Sequence, residues 1–159
     1  MHTIRVATEI AAPPARCFDL ARSVDAHVES AGTSAEKAVA GRTSGLLEAG
    51  EEVTWEARHF GIRQRLTSRI TVFDRPGFFQ DRMVKGAFRQ LEHDHLFEPI
   101  PAGGTRMVDV LRFQAPWGPL GWLAERLLLE RHLRRFLRER GLVLKTLAEG
   151  EGWRQHTEG

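Results

Sequence analysis

Between Glu51 and Phe113 the apolar residues of this chain recur at every second position, and from Leu120 to about Ala148 they recur at the spacing of a helix. A period of two places alternate side chains on opposite faces of a strand, whereas a period near 3.6 places them on one stripe of a helix. Turn signals at Phe60-Gly61, Arg75-Pro76-Gly77, Gly86 and Pro99 to Gly104 cut the alternating half into short strands. Spacers this short cannot hold crossover helices, so the strands run antiparallel and a parallel βαβ sheet is excluded. The helical stretch of roughly 28 residues would be ~42 Å long. It needs a broad partner surface, and the inner face of the sheet is the one available.

The first part of the chain adds a strand and two short helices. Ile4, Val6, Thr8 and Ile10 share a face of a strand from His2 to Ile10, which Ala11-Ala12-Pro13-Pro14 ends. Pro14 suits the first turn of a helix, where its missing N–H costs nothing. Ala15 to Ser23 and Val24 to Ser30 read as helices, Glu36 to Arg42 as a weak strand and Gly45 to Gly50 as a turn. Phe78 to Val84 is a strand whose facing the pattern leaves open. Gly118 as N-cap and Pro119 as first residue begin the long helix. Residues after Glu149 are polar and Gly-rich, which predicts a loose tail. The expected organisation is one α+β domain over 1–149 and a flexible tail over 150–159.

Composition narrows the function classes. Hydrophobic residues make up 42% and charged residues 28%, enough for a core under an ordinary charged surface. No apolar run approaches the ~20 residues needed to span a bilayer, so no stable membrane anchor is expected. Met1-His2-Thr3-Ile4-Arg5 has no export signal, and the expected location is the cytoplasm. A net charge of +2 argues against nucleic acid as a partner. Cys17 is the single cysteine, so it makes neither an internal disulfide nor a thiolate zinc site, and it reads as a small buried hydrophobe rather than a reactive thiol.

Polarity on inward faces is the informative feature. Val53, Trp55, Ala57 and His59 oppose Glu52, Glu56 and Arg58. Ile62, Gln64, Leu66, Ser68, Ile70 and Val72 oppose Arg63, Arg65 and Arg69. Arg89, Leu91, His93, His95 and Phe97 oppose Gln90, Glu92, Asp94 and Glu98, and because the acidic face belongs in water the histidines point inward. Met107, Asp109, Leu111 and Phe113 share a face of the next strand. Trp122, Leu129, Leu133, Phe136, Val143 and Leu147 form the stripe of the long helix, and Arg140 sits in its middle. A guanidinium is not left unpaired in a dry core, so Arg140 must meet an acid, Asp109 first among them, or open onto a wet cavity.

His93 and His95 can act as a general base or a ligand hydrogen-bonder oriented by Asp109. The plainer reading makes them satisfied interior histidines. His59, His93, His95 and Asp109 are metal-binding residue types, but His-x-His on a strand is no metal signature, so neither a metal nor a cofactor is expected. Trp55, Leu91, Phe97, Met107 and Phe113 serve either as packing or as cavity wall. Arg131, Arg134, Arg135 and Arg138 read as a solvated face, interleaved with Glu130 and Glu139. Leu120, Trp122, Leu123, Ala124, Leu127, Leu128 and Leu129 make the start of the helix apolar all round. That calls for cover from within the chain, a role as cavity lid, or a homodimer contact.

The order of elements resembles the START-like (SRPBCC) superfamily with its polyketide cyclase/dehydrase members. Gly86-Ala87-Phe88-Arg89 followed by His93-x-His95-x-Phe97 resembles a bacterial subgroup of it. So do Gly104-Thr105-Arg106-Met107-Val108-Asp109 and Ala115-Pro116-Trp117-Gly118-Pro119-Leu120-Gly121. The resemblance runs from Ile4 to about Leu147. It implies a helix-grip fold, a curved antiparallel sheet of about seven strands around the C-terminal helix with a cavity between. The chain has no tyrosine, which excludes any cyclase mechanism built on a phenol. Three functions are compatible with these readings. The first is binding of a small, partly hydrophobic molecule. The second is a cyclase, dehydratase or hydrolase using a His/Asp pair in the same cavity. The third is a protein-interaction module on the last helix.

Overall fold

The computed structural model describes residues 1–32, 35–59, 61–116 and 122–158, with side chains from 126 onward in the last of these. The described elements are β1 (His2–Ile10), α1 (Pro14–Ala21), α2 (Val24–Ser30), β2 (Lys37–Gly41), β3 (Glu52–His59), β4 (Ile62–Asp74), β5 (Phe78–Lys85), β6 (Gln90–Pro99), β7 (Thr105–Gln114), α3 (Trp122–Glu149) and α4 (Arg154–Thr157). The strands form one antiparallel sheet in the order β1-β7-β6-β5-β4-β3-β2. The fold is the expected α+β arrangement of a seven-stranded sheet with a long C-terminal helix and short helices after the first strand.

The helix α3 packs along β1 and against α1 and α2. Gly141 sets the closest approach: a Cβ there would lie 2.5 Å from Thr8 Oγ1, so only hydrogen lets the helix sit this near the strand. The buried line of α3 runs through Leu129, Leu137, Arg140, Leu144 and Leu147. Leu133, Phe136 and Val143, expected at its centre, flank it half-buried. Gly118, Pro119 and Leu120 lie outside the described residues, as do the side chains of Trp122, Leu123 and Ala124. Leu127 and Leu128 are exposed, whereas Leu129 is buried.

The core has two parts. One is centred on Phe18 of α1, which meets Phe73, Phe79 and Phe97 edge-on with centroids 5.3, 5.2 and 5.4 Å away. The other gathers Ile4, Leu91, Leu111, Phe113, Leu129 and Leu137 at the opposite end of the sheet. Val72 does not share the inner face as the alternation predicts. A register shift between Ile70 and Val72 adds one residue to β4, so Val72 turns outward and Phe73 packs against the core in its place. Trp153 packs against the core and lies under the Arg16 guanidinium at 4.1 Å, and His156 Nε2 is 2.7 Å from Glu29.

Asp19 ties α1 to the β4–β5 turn. It accepts hydrogen bonds from Arg75 Nε and Nη2 at 3.0 and 2.7 Å and from Arg22 Nε at 2.9 Å. Burial opposes its charge, but the bonds from Arg75 and Arg22 outweigh burial and hold its pKa below the ordinary carboxylate value. A depressed folded-state pKa stabilises the fold above the unfolded value of ~3.9 and the stabilisation is lost as pH falls through the folded one. Asp19→Asn is therefore expected to flatten the acid side of the stability curve. Urea midpoints for both proteins between pH 6 and about 3 check this, and parallel curves would refute it.

Candidate functional site

A cavity of about 420 Å³ lies between α3 and the concave face of β3–β6. Strand alternation lines it on the sheet side with Val53, Trp55, Ala57 and His59 of β3 and with Gln64, Leu66, Ser68 and Ile70 of β4. Phe79 and Asp81 of β5 and Leu91, His93 and His95 of β6 continue the wall. Leu129, Leu133, Phe136, Leu137 and Arg140 of α3 close the other side. Exposed Ile62 and Leu128 also line it, which puts them at its mouth.

The polar residues gather into one cluster. Pairing sets His95 opposite Asp109 on β7 and opposite Phe79 on β5, and sets His93 opposite Asp81. The hydrogen bonds run diagonally across this grid. His93 Nε2 is 2.9 Å from Asp109 Oδ1, and His95 Nε2 is 2.9 Å from Asp81 Oδ2. His95 Nδ1 approaches the same Asp109 oxygen at 3.1 Å but at an angle that makes no hydrogen bond. The two imidazoles lie 3.8 Å apart, and Phe79 stacks on the far side of His95 at 4.1 Å. Arg140 Nη1 donates to Asp109 Oδ1 at 3.4 Å, and Nη2 donates to the carbonyl of Ala21 at the end of α1 at 3.0 Å.

Charge in the cluster follows from burial and neighbours. Burial works against the Asp109 carboxylate, but the hydrogen bond from His93, the close approach of the His95 ring and the charge of Arg140 hold its pKa far below the ordinary value. Asp81 is lowered too, burial being overcome by His95. Burial lowers His93, and the neighbouring His95 lowers it further. For His95 burial is outweighed by the carboxylates of Asp109 and Asp81, which raise it. Two carboxylates, one guanidinium and two imidazoles thus share one cluster, in which His93 and His95 are shifted in opposite directions.

Two further contacts frame the cavity. His27 of α2 stacks on Trp55 at 4.1 Å, and its Nε2 is 2.6 Å from Glu36. Burial opposes the Glu36 charge, but His27 overcomes this and holds its pKa down. His59 Nδ1 is 2.9 Å from His132 Nε2, joining β3 to α3. Burial, then the charge of His59, lowers His132.

Of the residues singled out from sequence, Trp55, His59, Gln64, Ser68, Leu91, His93, His95 and Arg140 lie on the cavity wall. The others are elsewhere. Arg89 is exposed, because it falls in the turn before β6 instead of on the strand's inner face. Phe97 is buried where Phe18 fills the space between α1 and the sheet. Met107 is buried where α3 closes on β1 beside Gly141. Phe113 packs in the second core with Ile4 and Leu137. Asp109 is fully buried behind the two histidines that hydrogen-bond or abut it. The sequence reading missed Asp81, His27, Glu36 and His132. Phe78 and Phe79 are adjacent, as are Met83 and Val84, so alternation along β5 does not tell which face Asp81 takes.

A family model described as polyketide cyclase / dehydrase and lipid transport matches residues 1–149. No curated protein matches the sequence. In structure the chain is similar to a protein from Thermus thermophilus, at 20% identity and a TM-score of 0.70 over 90% of this chain and 97% of that one. It is also similar to the Zhui aromatase/cyclase from Streptomyces sp. R1128, at 13% identity and a TM-score of 0.65 over 97% and 94%. A START superfamily protein from Mycobacterium smegmatis gives 11% identity and a TM-score of 0.68 over 94% and 98%. Identities this low speak to the shared fold. Among the described residues no helix is long and apolar enough to cross a membrane.

Proposed function

The chain belongs to the family of polyketide cyclase / dehydrase and lipid transport proteins, and from that premise we propose that it binds a small, partly hydrophobic molecule in the cavity between the sheet and α3. The observation that carries the reading is the cavity's shape and lining. Its volume of about 420 Å³ falls in the ~300–1,000 Å³ range of small-molecule sites. Aromatic and aliphatic walls take the apolar part of the ligand, while His93 and Gln64 offer hydrogen bonds to its polar part. This is the mixture expected for a ligand with oxygen or nitrogen groups, not for a plain acyl chain.

Native mass spectrometry of the protein purified from its source tests the proposal, with a bound small molecule expected. A filling substitution gives a second test. Ala57 is buried on the cavity wall, and Ala57→Trp is expected to weaken binding of an aromatic fluorescent probe by about tenfold or more while the fold persists. Unchanged probe affinity, with no bound molecule in the native spectrum, would end the reading.

A second reading is a cyclase-, dehydratase- or hydrolase-type enzyme. It is favoured by His93, which lines the cavity with Nε2 engaged by a buried carboxylate, so that Nδ1 is left as the acceptor nitrogen. A His93→Gln protein that keeps ligand affinity but loses turnover would select this reading over simple binding.

A further inference from the structure

We propose that Asp81, His93 and His95 form a binding site for one divalent transition-metal ion at the polar end of the cavity. The three side chains stand on the adjacent strands β5 and β6, with Asp81 directly opposite His93. One donor atom from each lies within 4.8 Å of the other two. His95 Nε2 and Asp81 Oδ2 are already 2.9 Å apart, a separation that an ion with bonds of ~2.0–2.2 Å spans with small shifts. Two imidazoles and a carboxylate suit zinc or cobalt rather than magnesium or calcium. The sequence alone does not point to this site, because it groups the histidines with His59 and gives no sign that Asp81 faces inward.

Asp109 supplies the outer support that metal-binding histidines need. Its Oδ1 lies 2.9 Å from His93 Nε2 and 3.1 Å from His95 Nδ1. An N–H on each of those atoms directs the other nitrogen of each ring away from Asp109: Nδ1 of His93, and Nε2 of His95, which faces Asp81. His95 Nδ1 is buried without a hydrogen-bond partner. An unmet polar atom of this kind is rare in a native interior. A small rotation of the ring as an ion replaces the His95–Asp81 hydrogen bond gives that atom its acceptor. Arg140 holds Asp109 Oδ1 from behind, which keeps Asp109 in the supporting role.

Charge and access agree with this assignment. The buried Asp109 and the partly buried Asp81 face one guanidinium, and a divalent ion offsets the excess negative charge. Asp81 and His93 line the cavity, so an ion enters from that side and keeps an open position toward it. The inference stands apart from the ligand-binding reading. It competes with His93 as a general base, because the ion takes the same lone pair.

The test uses the full chain after chelator treatment, titrated with Co2+ and followed by visible absorption, with Zn2+ as competitor. One Co2+ per chain, the absorption of a four- or five-coordinate site and displacement by Zn2+ are expected. Asp81→Asn and His95→Gln should abolish this spectrum. Asp109→Asn should weaken binding by about 10–100-fold. His59→Gln, at the other histidine pair, should leave it unchanged. Asp81→Asn removes a partly exposed carboxylate isosterically and carries the test if His95→Gln does not fold. No stoichiometric Co2+ binding to the wild-type chain, or a spectrum that survives Asp81→Asn, overturns the proposal.

Discussion

Arg140→Met is expected to cost the fold about 3–5 kcal/mol, the penalty for stripping one partner from a buried ion pair. Both groups are almost completely buried, Arg140 at 3% and Asp109 at 1% exposure. Methionine fills most of the space but returns neither the donor to Asp109 nor the donor to the Ala21 carbonyl. Asp109 would then keep its charge against His93 and His95 alone. The double variant Arg140→Met with Asp109→Leu should recover part of the loss, because it removes the stranded charge along with its partner. Arg140→Lys should fall between, since one ammonium cannot reach both Asp109 and Ala21 as the branched guanidinium does. Urea denaturation of chelator-treated protein measures all four proteins. A single-variant cost below about 1 kcal/mol would show that the pair is not the joint described here.

Phe18→Ala is the second large expectation, at about 3–5 kcal/mol. Phe18 is fully buried and is the point where α1 meets the sheet. Truncation removes its apolar area, leaves a cavity and deletes three edge-on contacts worth roughly 0.5–1.5 kcal/mol each beyond area. Phe18→Leu should recover about half, because it restores volume but not the edge-on geometry. The same denaturation experiment reads both. If the alanine variant loses no more than an exposed substitution such as Val39→Ala, the aromatic centre of the first core is wrongly identified.

The alternating strands were legible because one face of each meets water and the other meets apolar groups. Glu92, Asp94 and Glu98 announced the outside of β6 and so the inside positions of His93 and His95. Arg140 was legible from cost alone, since a guanidinium within an apolar stripe demands an acid. Val72 was not legible, because a bulge adds one residue without any residue type that marks it. Asp81 was hidden because β5 alternates polar with apolar residues poorly: Phe78 and Phe79 are adjacent, as are Gln80, Asp81 and Arg82. Only the pairing register with β6 reveals which of them faces in. Arg89 falls on the inner face only if the alternation of β6 is extended one residue before the strand's start at Gln90. Leu137 and Leu144 do not stand out in the sequence because Leu133, Phe136 and Val143 fit the same helical period, and the rotation of α3 about its axis is decided by where Gly141 lets it touch β1.

The neighbour of β1 in the sheet is β7, the last strand to be made. A ribosome adding ~5–20 residues per second releases the first strand many seconds before its partner exists. During that interval Ile4, Val6 and Ile10 have no sheet to join, and the growing chain must keep them from sticking to other molecules. Permuting the gene so that β1 follows β7 directly would shorten the wait to a single hairpin.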